Sequence, residues 1–159
     1  EGRIYLMGHS NGGFMSYTTS CRAAERITAM MSLAGTTFDM ASDCDPSQPV
    51  GILHVHGTLD ETILYEGGSL FGEGYPSAED TAERWASYNG CQDTPNQEAA
   101  RSLLATGGGD ETEVYTYPGC PDGGGVSLWK IEGGSHIPGM KRGWVRGPLE
   151  HLFAYDRTP

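Results

Sequence analysis

Basic residues are scarce. Lysine and arginine number 10 against 21 aspartates and glutamates, a formal charge of −11 at pH 7. A polyphosphate partner would be repelled, which argues against nucleic acid. Anionic membrane surfaces are disfavoured for the same reason. A neutral substrate suits such a field; solubility alone is the blander account of it. No apolar stretch approaches the ~18–20 residues of a membrane span. Cysteines number only four, and none form a C-x-x-C pair, against a zinc ribbon or a thioredoxin motif. An even count at wide spacing permits two disulfides in any of three connectivities, and with them an oxidising compartment; the other reading is four buried thiols. No signal peptide opens the sequence: Glu1-Gly2-Arg3 leads straight into an apolar run, as a mature secreted chain also would.

Glycine and proline are plentiful, 24 and 9 of 159 residues. That density excludes a long coiled coil or an all-helical bundle. The glycines have no fixed period, which excludes collagen. Apolar runs such as Ile4-Tyr5-Leu6-Met7 and Ile52-Leu53-His54-Val55 need burial, against disorder. The length suits one domain or part of a larger one.

Residues 3–7 read as a buried strand ended by Gly8, and residues 11–25 as a helix with Phe14, Tyr17 and Cys21 at helical spacing. Strands are expected at 28–34, 50–56, 113–117 and 126–132. Residues 36–49, 65–76 and 91–111 read as loops. Ser77 is the expected N-cap of a helix running to about Tyr88, with Asp80 three residues on and Asn89-Gly90 as its stop. Pro148 opens a last helix with Leu149, Leu152 and Phe153 as its apolar face. Strands alternating with helices predict an α/β fold with a parallel sheet. The runs at 113–117 and 126–132 are too close for a helical crossover and are expected to be antiparallel neighbours or separate strands.

The strongest motif is Gly8-His9-Ser10-Asn11-Gly12, a G-x-S-x-G between an apolar strand and a helix. That context is a nucleophile elbow, with the Ser10 hydroxyl exposed on a sharp turn. Gly8 and Gly12 leave room where side chains would collide. The alternative is a glycine-rich turn whose serine caps a helix. A serine hydroxyl needs a general base, and the base an orienting carboxylate, in the order Ser, acid, His. Of five histidines, His136 lies in the glycine-rich loop directly after strand 126–132. His9 abuts the serine but is expected to point elsewhere. His151 sits in the last helix. His54 and His56 share one strand face, either as a metal pair lacking further ligands or as packed, hydrogen-bonded histidines; no metal site is expected. Asp60 sits just past strand 50–56, where the acid belongs; Glu61, Asp39, Asp43 and Asp45 are weaker candidates. Tyr65, Phe71 and Tyr75 offer aromatic surface to a cleft or ordinary loop packing. Lys141, Arg142 and Arg146 near Trp144 form an anion site or a solvated basic turn.

The segment from Arg3 through Gly-His-Ser-Asn-Gly-Gly-Phe-Met-Ser-Tyr resembles the nucleophile segment of the polyhydroxybutyrate depolymerase and feruloyl esterase family of α/β-hydrolases. His54-Val-His-Gly-Thr-Leu-Asp60, Pro76-Ser-Ala-Glu with Trp85, Asn89-Gly-Cys91, Tyr117-Pro-Gly-Cys120 and Glu132-Gly-Gly-Ser-His136 resemble its later segments, so the similarity runs from about Gly2 to Gly139. The resemblance implies an α/β-hydrolase-type, mainly parallel sheet flanked by helices, occupying residues 1–159 as a single partial domain that lacks the N-terminal strands. It implies Ser10 as nucleophile, Asp60 as acid, His136 as base and the Asn11 backbone N–H as an oxyanion donor. It further implies secretion and disulfides Cys91–Cys120 and Cys21–Cys44, with no cofactor. The expected function is a serine carboxylester hydrolase acting on short-chain or aryl esters through an acyl-enzyme; the rival is a catalytically silent C-terminal fragment. Ile137-Pro138-Gly139 stands where the family often has Trp-Pro-Gly. The family's upstream strands also carry the second oxyanion donor. With those strands absent, residues 3–7 are expected to form an open sheet edge covered by a second copy or by an upstream segment.

Overall fold

A computed structural model describes residues 2–106 and 109–156. Among them a six-stranded mixed sheet has the order β1-β2-β3-β8-β7-β6. The parallel part comprises β1 (Tyr5–His9), β2 (Ala29–Leu33), β3 (Gly51–Gly57) and β8 (Val126–Ile131). β7 (Thr112–Tyr117) runs antiparallel to β8, and β6 (Asn96–Arg101) antiparallel to β7. Helices α1 (Asn11–Arg22) and α2 (Ala78–Asn89) pack on one face of the sheet, and α3 (Arg146–Phe153) on the other.

The two faces follow from strand alternation. Met30 and Ile52 join Tyr17, Trp85 and Leu128 beneath α1 and α2. Met31, Leu53 and Val55 join Trp129, Ile131 and Leu152 beneath α3. Every residue of β2 and β3 is buried, which is why both read as continuous apolar runs rather than alternating ones. By the same alternation His54 and His56 of β3 lie with Ile52 on the face that α1 and α2 cover, and His54 bonds Tyr17 of α1.

Ser77 caps α2 as expected, its Oγ accepting the Asp80 N–H at 2.9 Å, and Gly90 closes the helix in the left-handed region. Several expectations need correction. Residues 65–76 are not all loop: β4 (Gly68–Leu70) and β5 (Glu73–Tyr75) form a hairpin turned at Phe71 and Gly72, both at positive φ. Residues 91–111 contain β6, whose sequence Asn-Gln-Glu-Ala-Ala-Arg is exposed throughout and carries no apolar alternation. Gly107 and Gly108 of that expected loop lie outside the described residues. In α3 the buried residues are Pro148 and Leu152, while Phe153 is largely exposed. The first strand spans Tyr5–His9 rather than residues 3–7, and among the described residues it pairs only with β2.

All four cysteines are paired. Cys21–Cys44 ties the end of α1 to the segment after β2, and Cys91–Cys120 ties the end of α2 to the β7–β8 connection. The linked residues lie 23 and 29 apart in sequence. Each cross-link removes on the order of 3 kcal/mol of loop entropy from the unfolded chain. The double substitution Cys21→Ala, Cys44→Ala should lower stability by about that amount in urea unfolding. An unchanged midpoint would show that packing alone holds this loop.

Candidate active site

The site lies where β1, β3 and β8 reach their C-terminal ends. At the end of β1 the chain turns sharply into α1, and Ser10 takes φ 55°, ψ −121°. A non-glycine residue at such a φ costs on the order of 1–3 kcal/mol and persists only when its surroundings hold it there. Here the Ser10 N–H donates to the Leu33 carbonyl at 2.8 Å, and the Ser10 carbonyl accepts from the N–H groups of Gly13 and Phe14. The elbow also needs close backbone approach. A Cβ at Gly8 would run into the Gly12 carbonyl, one at Gly13 into the Ser32 hydroxyl, and one at Gly35 into the Ser10 carbonyl. Gly12 faces open space, so the crowding expected there falls on Gly13 and Gly35 instead. The Ser10 side chain makes no capping bond, which removes the helix-cap alternative.

Its hydroxyl is engaged elsewhere. Ser10 Oγ lies 2.9 Å from His136 Nε2, and His136 Nδ1 lies 2.8 Å from Asp60 Oδ2. A carboxylate only accepts, so Nδ1 carries the proton and Nε2 is left to accept from the Ser10 O–H. The three side chains come from different loops. The β3 and β8 loops are clamped together: Leu59 N–H donates to Gly134 O at 2.9 Å, Thr58 N–H to Ile131 O at 3.0 Å, and Gly133 N–H to Thr58 Oγ1 at 2.9 Å. Gly57 and Gly134 approach so closely that a side chain on Gly57 would strike the Gly134 backbone.

Asp60 is buried, and its other oxygen, Oδ1, accepts the backbone N–H groups of Thr62 at 2.8 Å and Ile63 at 2.9 Å. Burial alone would raise its pKa. Hydrogen bonds from His56, His136, Ile63 and Thr62 outweigh that and hold the carboxyl well below the usual carboxylate range. The competing acids do not reach the site in this way: Glu61, Asp39, Asp43 and Asp45 are all exposed.

His9, expected from the sequence to point away from the serine, turns towards His136. Its Nε2–H donates to the His136 carbonyl at 2.8 Å, and the two rings sit 4.9 Å apart. His54 and His56 are fully buried and hydrogen-bonded to each other at 3.2 Å. Among the described residues no cluster of three or more His, Cys, Asp or Glu is arranged to hold a metal ion. His56 also approaches Asp60, with Nε2 3.2 Å from Oδ2. That contact escapes sequence reading, although the alternating His-x-His leading into the acid is its visible trace.

Beside Asn11, the first residue of α1, opens a cavity of about 330 Å³. Phe14, Phe38, Leu70 and Tyr75 give it apolar wall, and Asp39, Asp43 and Glu73 give it acidic groups. Of the three aromatics expected to offer surface, only Phe71 is exposed; Tyr65 and Tyr75 are buried. Tyr65 donates its hydroxyl to Glu79 at 3.2 Å, and Tyr75 accepts the Leu64 N–H at 3.0 Å. Ile137, in the place of the family tryptophan, is exposed. Arg146 is paired with Glu150 at 2.7 Å, and Lys141 and Arg142 are exposed.

The sequence is similar to those of known esterases. Feruloyl esterase B of Piromyces equi is 35% identical over 154 residues, covering 89% of this chain and 26% of that protein. A bifunctional acetylxylan esterase/xylanase of Neocallimastix patriciarum is 30% identical over 142 residues, covering 86% and 18% respectively. Feruloyl esterase D of Neurospora crassa is 25% identical over 138 residues, covering 87% and 41%. The chain thus spans between a fifth and two fifths of these relatives' lengths. No protein-family model matches it. Among the described residues no helix is long and apolar enough to cross a membrane.

Proposed function

We propose that this chain is the catalytic part of a serine carboxylic ester hydrolase of the α/β-hydrolase type, with Ser10 as nucleophile, His136 as base and Asp60 as the orienting acid. The observation that carries the reading is the unbroken hydrogen-bond series from Ser10 Oγ through His136 to Asp60. The strained elbow and the chain order Ser, Asp, His support it, as does the similarity to proteins named feruloyl and acetylxylan esterases. With all three groups in this chain and already at bonding distance, the reading as a silent fragment is disfavoured.

In this mechanism Ser10 Oγ attacks the ester carbonyl carbon while His136 Nε2 takes its proton. Asp60 keeps the Nδ1 proton of His136 in place and stabilises the imidazolium. Negative charge on the carbonyl oxygen develops beside the N-terminus of α1. There the Asn11 backbone N–H and the positive end of the helix dipole stabilise it. His136 returns its proton to the departing alcohol, leaving an acyl group on Ser10. A water then gives a proton to His136 as it attacks the acyl carbon. His136 passes that proton to Ser10 Oγ as the acyl–oxygen bond breaks, releasing the carboxylic acid and restoring both residues. The cavity beside Asn11 suits an uncharged acyl or aryl group, since its acidic rim repels anions. Feruloyl and acetyl esters are the substrate class. The two disulfides fit a secreted enzyme, and the side of β1 away from β2, unpaired among the described residues, fits a strand from a second copy.

The purified chain should release ferulate from methyl ferulate and acetate from p-nitrophenyl acetate at neutral pH. Turnover no faster than buffer, by folded protein, would count against the reading.

A further inference from the structure

We propose that His56 is a positioning residue for the acid–base pair: its Nε2–H donates to the same Asp60 oxygen that holds His136, and so sets how strongly Asp60 raises the basicity of His136. The proposal rests on the reading of Asp60 and His136 as partners in ester hydrolysis. It starts from a buried series of polar groups that the three-residue mechanism leaves unused. Tyr17 OH lies 2.8 Å from His54 Nδ1, His54 Nε2 lies 3.2 Å from His56 Nδ1, and His56 Nε2 lies 2.8 Å from Ile63 O and 3.2 Å from Asp60 Oδ2. Tyr17, His54 and His56 are inaccessible to solvent, and Asp60 nearly so.

The proton positions along this series follow from one fixed end. The Ile63 carbonyl only accepts, so His56 must carry its proton on Nε2, shared between that carbonyl and Asp60. His56 Nδ1 is then bare and accepts from His54 Nε2–H. His54 Nδ1 is bare in turn and accepts the Tyr17 hydroxyl. With one proton on each ring, every ring nitrogen is satisfied and all donors point towards Asp60. Burial and the neighbouring His56 hold the pKa of His54 well below the usual histidine value, consistent with a neutral ring.

The consequence concerns charge. A carboxylate that spends part of its negative charge on the His56 N–H offers less to His136 Nδ1–H. Without that donor, Asp60 would stabilise the His136 imidazolium more strongly, and the base would stay protonated to higher pH. Other titratable groups around the pair are His9, bonded to the His136 carbonyl, and Tyr65, whose ring meets His56 edge-on at 5.7 Å. Glu79 accepts the Tyr65 hydroxyl, and Lys130 lies over the Tyr65 ring. A change at His56 removes none of these side chains.

The test is histidine-selective ¹⁵N NMR without substrate, paired with the pH profile of kcat/KM. In His56→Leu, the pKa of His136 should rise by about one unit, the equivalent of a tenfold change in proton affinity. The acid limb of the profile should move up with it, while KM for p-nitrophenyl acetate stays unchanged. His56→Gln keeps an N–H near the Asp60 oxygen and should restore the wild-type limb. A folded His56→Leu protein with an unmoved His136 pKa overturns the proposal. Should that variant fail to fold, the wild-type spectrum decides: Nε2–H with bare Nδ1 at both His54 and His56 supports it, and Nδ1–H at His56 overturns it. The NMR readings need no turnover, so a protein inactive on esters would sink the functional reading while leaving this one measurable.

Discussion

Substitution Ser10→Ala is expected to lower ester turnover by about 10⁶-fold, the scale set by removing the nucleophile of a serine protease triad. The reasoning is geometric. Ser10 Oγ is the one hydroxyl placed 2.9 Å from His136 Nε2 among the described residues. Its side chain has no capping task in α1, so truncating it leaves the helix start unaltered. The backbone bonds of the elbow, from Ser10 N–H to Leu33 O and from Gly13 N–H to Ser10 O, survive the change. Melting temperature should therefore move little while activity collapses. A fluorophosphonate should label Ser10 in the wild-type chain, as read by peptide mass spectrometry. Labelling elsewhere, with Ser10→Ala fully active, would refute the assignment.

The second large effect belongs to Asp60→Asn, for which a loss of about 10⁴-fold in kcat is expected. An amide nitrogen on the His136 side would donate rather than accept. His136 would then turn to its other tautomer, with Nδ1 accepting from the amide and Nε2–H facing Ser10, and no base would be left for the hydroxyl. The same residue links stability to pH. Its carboxyl has a lower pKa in the folded protein than in the unfolded chain, because His56, His136, Ile63 and Thr62 all donate to it. A depressed carboxylate stabilises the fold above its unfolded pKa of ~3.9, and that contribution disappears as pH falls through the folded value. Unfolding free energy should thus decline below about pH 4 in the wild type and less steeply in Asp60→Asn. Equal slopes in urea titrations across that range would argue that Asp60 is not the carboxylate responsible.

Much of this molecule is legible in its sequence. The elbow needed only an apolar run, a G-x-S-x-G and a following helical pattern, because local sterics dictate that turn. Asp60 and His136 stand out as candidates because glycines stop strands at their C-terminal ends, where parallel sheets collect functional groups. Ser77 and Gly90 announced the ends of α2 through capping chemistry alone. The disulfide pairing came from resemblance, since four cysteines by count allow three connectivities.

What escaped the sequence depends on pairing across distance. β6 has no apolar pattern because it is an exposed edge, and only hydrogen bonds to β7 make it a strand. The β4–β5 hairpin hides in glycine-rich sequence that reads as loop. Gly13 and Gly35 are needed because two backbones meet there, which no local pattern reveals. The sequence by itself determined which residue types stood ready for chemistry, since strand ends, caps and the elbow are set by nearest neighbours. Only the tertiary structure decided that His56 reaches Asp60 and that His9 braces the His136 loop. Side-chain hydrogen bonds between separate elements depend on ångström-scale register, and that register emerges from the packing of the whole sheet.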